Sequence, residues 1–519
     1  MNIVDVESKR QTLQKRLDSE KDQYSRNKLG QYATPSPLAL SMLEFSKQFF
    51  LENQKIQFLD PAFGTGSFYS ALLNKYPHNR ISDAKGYEID LHHGKLAKEI
   101  WQGSQLRLKI ADFTNEPPPS SDSDRANLII CNPPYVRHHH ISRDDKIRLG
   151  KIVKKITGEK ISGLSGLYCY FLLLSHDWLA NGGVAGWLIP SEFMDVNYGK
   201  IIKQYLLENV TLIRIHRFES EDLQFNDALV SSAIVWLIKK KSTSNYSIEF
   251  TCGGTLNEPK IVERINRNDL KKLAKWTKFP FISPKIHSST NILLKDLFVI
   301  KRGLATGSNN HFIMTPERAN ELEIPKEFLT PILPSPRYVP DIITADKGGY
   351  PGNVKQLVLF NCKKTIDEIK ENYPSVYAYI QFMIKEGINN RYLSKSRTPW
   401  YKQEERSPAP IVCTYMGRND GIHVPFRFIL NQSNAIATNV YLLMYPKPLL
   451  QKEIANNPEL LFSLWQAMNK IPIEILIHEG RTYGGGLHKV EPKELAQVPV
   501  DFIISSLPQI KNKKPYFSS

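Results

Sequence analysis

Ala126-Asn127-Leu128-Ile129-Ile130-Cys131-Asn132-Pro133-Pro134-Tyr135 is an apolar run that stops abruptly in a proline-locked loop. The run reads as a buried strand. Two consecutive prolines donate no backbone N–H and fix φ, so the chain leaves the sheet stiff and extended. Such a loop holds an amide side chain, a bare carbonyl and an aromatic ring in constant relation. Asn132 Oδ1 and the Pro133 carbonyl offer two acceptors for the hydrogens of a planar amine whose ring would lie on Tyr135. Acceptors placed there stabilise the charge that develops on nitrogen during attack on an electrophile. The chemistry suggested is alkylation of an exocyclic amino group. A strand end with a rigid turn is the plain alternative, and the rest of the chain decides between them.

Upstream, three further strands end in acids. Leu106 to Phe113 closes on Asp112, able to accept from an adenine amino group, and Phe113, able to cover the ring face. Ala84 to Asp90 ends at Glu88, placed to accept from ribose hydroxyls, with a solvated surface acid as the alternative. Ile56 to Asp60 runs into Pro61-Ala62-Phe63-Gly64-Thr65-Gly66, and Phe68 to Tyr76 reads as the next helix. A strand, a glycine turn and a helix bring a ligand close to the backbone, although a tight turn alone would also require glycine. The spacing matches neither the nucleotide P-loop nor the dinucleotide fingerprint, and no phosphate-reading lysine follows. Thr34-Pro35 precedes an apolar stretch, Leu38 to Leu51, and predicts Thr34 as a helix cap, with ligand contact from the same turn as the alternative.

Downstream, helix Leu167 to Leu179, strand Val184 to Ile189, helix Tyr198 to Leu207 and strands Thr211 to Phe218 and Ser231 to Lys239 complete a sheet. In a parallel α/β sheet the strand C-termini share one edge, where ligands bind. Asp60, Glu88, Asp112 and Asn132 would therefore meet. Residues 1 to 28 predict a short surface helix or arm. Between Lys239 and about Phe281 the Lys, Ser and Asn content suggests a boundary with one or two extra strands.

A chain of 519 residues predicts two to three domains. The net charge of +16 favours a polyanionic partner, nucleic acid first. Five cysteines without a Cys-x-x-Cys pair argue against zinc or a disulfide framework and fit a reducing cytoplasm. No run reaches the roughly 18 apolar residues of a membrane span, and the first residues lack the apolar core of a signal peptide. Neither His92-His93 nor His138-His139-His140 makes a sound metal site; the second group lies where it could touch a nucleic-acid backbone.

Taken in order, Thr34-Pro35, Asp60 to Gly66, Glu88, Asp112-Phe113 and Asn132 to Tyr135 resemble a known family. It is the S-adenosylmethionine-dependent DNA amino-methyltransferases of the gamma arrangement, the adenine-N6 enzymes of bacterial type II restriction–modification systems. The resemblance implies an α/β fold with a Rossmann-like, seven-stranded, mostly parallel sheet, and a C-terminal mixed α+β target-recognition domain. The boundaries would be 1–28 for the arm, 29–285 for catalysis and 286–519 for recognition. It implies cofactor binding by Thr34, Asp60, Pro61, Ala62, Phe63, Gly64, Gly66, Glu88, Asp112, Phe113, Pro134 and Phe171. Asn132, Pro133 and Tyr135 would hold the target base, with Phe225 a second stacking aromatic. No metal is implied.

The expected activity is methyl transfer to N6 of a flipped adenine in duplex DNA, with a cognate restriction endonuclease as a separate partner. In the second half, Leu297 to Gly303 and Tyr483 to Lys489 look like the ends of the recognition region. Arg302, Arg337, Arg391, Arg397, Lys402, Arg418 and Arg481 are its candidate DNA contacts. The alternatives are an RNA or protein amine as acceptor, or a catalytically silent DNA-binding subunit.

Overall fold

Hydrogen bonding between residues 56 and 266 joins nine strands into one sheet in a computed structural model of the chain. The structure describes residues 2–20, 30–218, 232–242, 245–277, 279, 292–418, 424–483 and 486–511. The strands are β1 (Ile56–Asp60), β2 (Ile81–Glu88), β3 (Leu106–Ile110), β4 (Ala126–Cys131), β5 (Leu179–Pro190), β6 (Thr211–Arg217), β7 (Ser232–Ile238), β8 (Ser247–Gly254) and β9 (Pro259–Asn266). Their spatial order is β3-β2-β1-β4-β5-β7-β6-β8-β9. Strands β3, β2, β1, β4 and β5 run parallel, while β7 is antiparallel to both β5 and β6.

β1 and β4 are apolar almost throughout because both faces of a parallel sheet are covered by helices. Helix Leu167–Leu174 is the extreme case, buried at every residue but its first. Two aromatic-rich cores form, one on each side of β4, holding Ile129 with Phe171 and Leu128 with Phe58.

The expected seven strands are joined by two more, β8 and β9, in the segment where one or two extra strands were expected. β8 runs parallel to β6, and β9 pairs antiparallel with β8. The polar segment after Lys239 thus carries the two strands before the chain divides at residue 286. Its composition reflects an edge strand, β9, whose side chains are largely exposed. Arg214 on β6 and Arg264 on β9 both grip Glu249 on β8, at 2.8 and 2.7 Å.

The remaining corrections are local. The helix expected to follow Thr34 spans Ser36–Ser46, with Pro35 at its N-cap position and no side-chain cap. Pro35 fills the cap position, its carbonyl accepting from Ala39 N at 3.0 Å, so the Thr34 hydroxyl is left for another use. β3 stops at Ile110, and Phe113 opens a short 3-10 turn capped by Asp112. The helix predicted to reach Leu179 gives way to a 3-10 turn at Ser175, and β5 is longer than expected. Helix α1 (Ile3–Glu20) precedes all of this.

By contact density the chain divides into two units, residues 1–286 with 483–485, and residues 287–482 with 486–519. The second unit is built on a five-stranded sheet ordered Phe298–Arg302, Tyr441–Pro446, Ile411–Thr414, Phe428–Asn431 and Ile342–Ile343. Gly303, at the end of the first of these, lets two backbones touch: a Cβ there would lie 2.1 Å from the Thr438 carbonyl oxygen. Helices such as Glu459–Met468 and Asp501–Ser506 cover one face of that sheet. No helix among the described residues is long and apolar enough to cross a membrane.

Candidate active site

Pro133 and Pro134 carry the chain out of β4 beside the segment Gly30 to Thr34. Tyr135 N donates to the Gly30 carbonyl at 3.0 Å. Asn132 Nδ2 donates to the Tyr32 carbonyl at 2.9 Å and to Thr34 Oγ1 at 3.2 Å. Both bonds use the amide nitrogen, so the orientation of the carboxamide is set. Its oxygen, Oδ1, is buried and has no hydrogen-bond partner. A buried acceptor left open costs stability, about 1–3 kcal/mol, and such groups concentrate where a ligand will supply the donor.

Asn132 lies in the wall of a cavity of about 390 Å3. Pro61, Ala62, Gly64, Glu88, Asp112, Phe113, Pro134 and Phe171 share that wall. Phe113 and Phe171 stand with ring centroids 5.5 Å apart, and Tyr87 flanks Phe113 at 5.5 Å. Glu88 accepts from Gly64 N at 2.8 Å and Asp90 N at 2.7 Å, one bond to each oxygen. Each oxygen keeps a second lone pair for a ligand. Burial raises the Glu88 carboxyl above its ordinary pKa. Asp112 accepts from Thr114 N at 2.9 Å and from Asn115 Nδ2 at 3.0 Å.

Other residues expected in the site stand behind this wall. Asp60 is 1% exposed and accepts from Ala62 N at 3.1 Å. Burial, reinforced by the neighbouring charge of Glu88, pushes its carboxyl up to about 8. Phe63 lies in the core beneath the turn. Gly66 adopts φ +92°, and a Cβ there would strike Trp101 Nε1 at 2.6 Å and the Phe63 ring at 2.7 Å. Thr34 and Pro133 are likewise buried.

Tyr135 is buried, donates its hydroxyl to the Leu188 carbonyl at 3.1 Å and packs 5.7 Å from the Tyr32 ring. Phe225 lies outside the described residues. Sequence reasoning missed Tyr32, which reaches the wall, and Gln14, Leu17 and Asp18 of α1. His138 to His140 form a 3-10 turn whose last member lines the cavity. No metal-ligating cluster occurs among the described residues.

In the second unit the candidate DNA contacts separate by environment. Arg397 is tied inward, to the carbonyls of Ala305 at 2.6 Å and Thr306 at 2.9 Å and to Gln403 Oε1 at 3.1 Å. Arg481 pairs with Glu494 at 2.8 Å, and Arg302 lies over the Tyr415 ring at 4.2 Å. Lys402 is half-buried, whereas Arg337, Arg391 and Arg418 are exposed. Leu487–Lys489 pairs antiparallel with Met416–Arg418, but Gly484 and Gly485 before it are outside the described residues.

Two family profiles match. Residues 66–224 fit the Eco57I restriction-modification methylase, and residues 275–516 fit the C-terminal domain of type II methyltransferase M.Eco57I. The type II methyltransferase M.AccI of Acinetobacter calcoaceticus is 30% identical over 91% of this chain and 85% of its own length. The chain belongs to the Eco57I-like type II restriction–modification methyltransferases. It is a site-specific DNA methyltransferase, and its methyl donor is S-adenosylmethionine.

The type II methyltransferase M.XamI of Xanthomonas campestris pv. amaranthicola is 27% identical to this methyltransferase over 91% of the chain and 85% of the relative. Among solved structures, the type IIL restriction-modification enzyme MmeI in complex with DNA is 14% identical. The match covers 92% of the methyltransferase and 69% of that chain, with a TM-score of 0.56. It shares the fold.

Proposed function

We propose that this methyltransferase modifies N6 of adenine flipped out of duplex DNA, in the bacterial cytoplasm, alongside a separate cognate endonuclease that cuts unmodified sites. The observation that carries this reading is Oδ1 of Asn132, a residue of the cavity wall, which is buried and has no hydrogen-bond partner. An exocyclic amine supplies the donor that oxygen lacks. Asparagine at the head of Pro-Pro-Tyr, where cytosine-N4 methyltransferases usually carry serine, favours adenine over cytosine.

The wall suits the methyl donor. Phe113, Phe171 and Tyr87 offer ring faces for a purine, Glu88 offers lone pairs to a ribose diol, and Asp112 offers them to an amino group. Carboxylates favour a cationic ligand over a phosphorylated one. When bound, the donor supplies an electrophilic methyl on a sulfonium. Asn132 Oδ1 and the Pro133 carbonyl take the two amine hydrogens and favour the charge that builds on nitrogen. The fixed loop presents the amine in one orientation, which removes much of the entropic barrier to reaction. Tyr135, anchored at its hydroxyl, is the proposed face for the base. Extruding a base costs a few kcal/mol, which stacking offsets in part.

The test is transfer of labelled methyl from S-adenosylmethionine to duplex DNA, RNA and protein, followed by nucleoside analysis, with Asn132→Ala beside the wild type. Label in N6-methyladenine, reduced at least about 100-fold in the variant, is expected. Label in N4-methylcytosine, RNA or protein would overturn the proposed acceptor. No label with DNA affinity retained would favour the silent binder.

A further inference from the structure

Helix α1 carries an arginine where an amphipathic surface helix ordinarily puts an apolar residue. Arg10 is 2% exposed, and a charge that deeply buried persists only when its donors are matched. They are. Nε and Nη2 hold both oxygens of Glu7 at 2.8 and 2.7 Å. Nη1 donates to Thr65 Oγ1 at 3.0 Å, and Nη2 to Ser36 Oγ at 2.9 Å. The guanidinium thus pins α1 to the glycine turn after β1 and to the start of the helix that follows Thr34. Thr65 Oγ1 then donates to Gln14 Oε1 at 2.7 Å, and Gln14 Nε2 donates to Asp18 Oδ1 at 2.9 Å.

The chain of bonds ends in the cavity, since Gln14, Leu17 and Asp18 belong to its wall. Asp18 differs from the other carboxylates there. Both oxygens of Glu88, Asp112 and Asp145 already accept from protein donors. Asp18 Oδ1 is oriented by Gln14, and among the described residues no donor holds its other oxygen. Asp60, which the resemblance implies as a cofactor-binding acid, is 1% exposed and is not among the residues of the wall.

We propose that Asp18 binds the ammonium group at the amino-acid end of S-adenosylmethionine, with Gln14 and Arg10 as positioning residues. The proposal rests on the cavity being the methyl-donor site, with the adenine end at Phe113 and Phe171. Asp18 stands on the α1 side, one helical turn beyond the residue that grips the glycine turn. A carboxylate already aimed by one hydrogen bond makes a charge-assisted bond to an ammonium without further ordering of its own.

The experiment measures binding of two probes to the full-length protein by calorimetry. S-adenosylhomocysteine retains the amino-acid end, and 5′-methylthioadenosine lacks it. Asp18→Asn is expected to weaken S-adenosylhomocysteine at least tenfold and to leave 5′-methylthioadenosine unchanged, with Asp18→Glu recovering part of the loss. Equal affinities in variant and wild type, or equal losses for both probes, would overturn the assignment. Failure of the wild type to bind either probe would instead remove the reading of the cavity on which it rests. Hydrogen exchange of the wild type supplies a check independent of any variant's folding. Amides of residues 3–20 should be slowed by S-adenosylhomocysteine and not by 5′-methylthioadenosine, and equal protection by both would count against Asp18.

Discussion

Asn132 shows how a single amide becomes a directional tool. Its nitrogen is spent on Tyr32 and Thr34, about a hundred residues away in the chain, which fixes the orientation of the amide. Thr34→Val removes one of the two restraints. Loss of one neutral hydrogen bond, about 1 kcal/mol, should lower kcat roughly fivefold while the Kd for S-adenosylhomocysteine stays unchanged. A fall in cofactor affinity with unaltered kcat would place Thr34 in the cofactor's grip instead. Asp60 predicts a pH effect. Its native carboxyl holds a proton up to about 8, against 3.8 ordinarily. Between those values the folded state binds the proton that the unfolded chain releases, so stability from this group is greatest at low pH and declines as pH rises. Asp60→Asn removes the decline. In urea unfolding, the variant should gain on the wild type from pH 5 to pH 8, and a constant difference would contradict the burial argument.

At the scale of elements, the strands that end in acids were legible because apolar alternation followed by a carboxylate survives without tertiary information. β1 to β3 follow from that pattern and β4 from its apolar run into Asn132, and with them the edge they share. Two features were not legible. The cap at Thr34 failed because backbone torsions, not residue type, decide where a helix begins, and two prolines moved that point to Pro35. β8 and β9, by contrast, fall where the Lys-, Ser- and Asn-rich segment suggested one or two extra strands. Helix α1 looked solvated because a buried arginine and a surface arginine are the same letter; only Glu7, Thr65 and Ser36 around it distinguish them. The extra strands make a prediction of their own. Arg214, Glu249 and Arg264 stitch β6, β8 and β9 together, and Glu249 is largely shielded. Glu249→Ala leaves Arg214 poorly compensated and should destabilise the catalytic unit by about 1–2 kcal/mol in urea unfolding, without changing cofactor affinity. An unchanged midpoint would reduce these pairs to surface decoration.

For the whole molecule, a net charge of +16 makes DNA affinity an ionic-strength property. Binding should weaken steeply and log-linearly with salt. Arg337→Ala, at an exposed site, should reduce the magnitude of that slope by about 1 if it meets a phosphate. Arg397→Ala should behave differently, because it strips the donor from three internal acceptors. A stability loss of about 2–3 kcal/mol with an unaltered slope is expected, and the reverse pattern in either variant would exchange their roles.

Every described residue lining the cavity falls between Gln14 and Phe171, within the first unit. The proposed chemistry thus belongs to the first unit, and the proposed reading of sequence to the second. In evolutionary terms the later portion can diverge, or be exchanged for another, while the lining of the methyl-transfer pocket is inherited intact. A new recognition specificity is then reachable without passing through a lineage whose transfer chemistry has been lost.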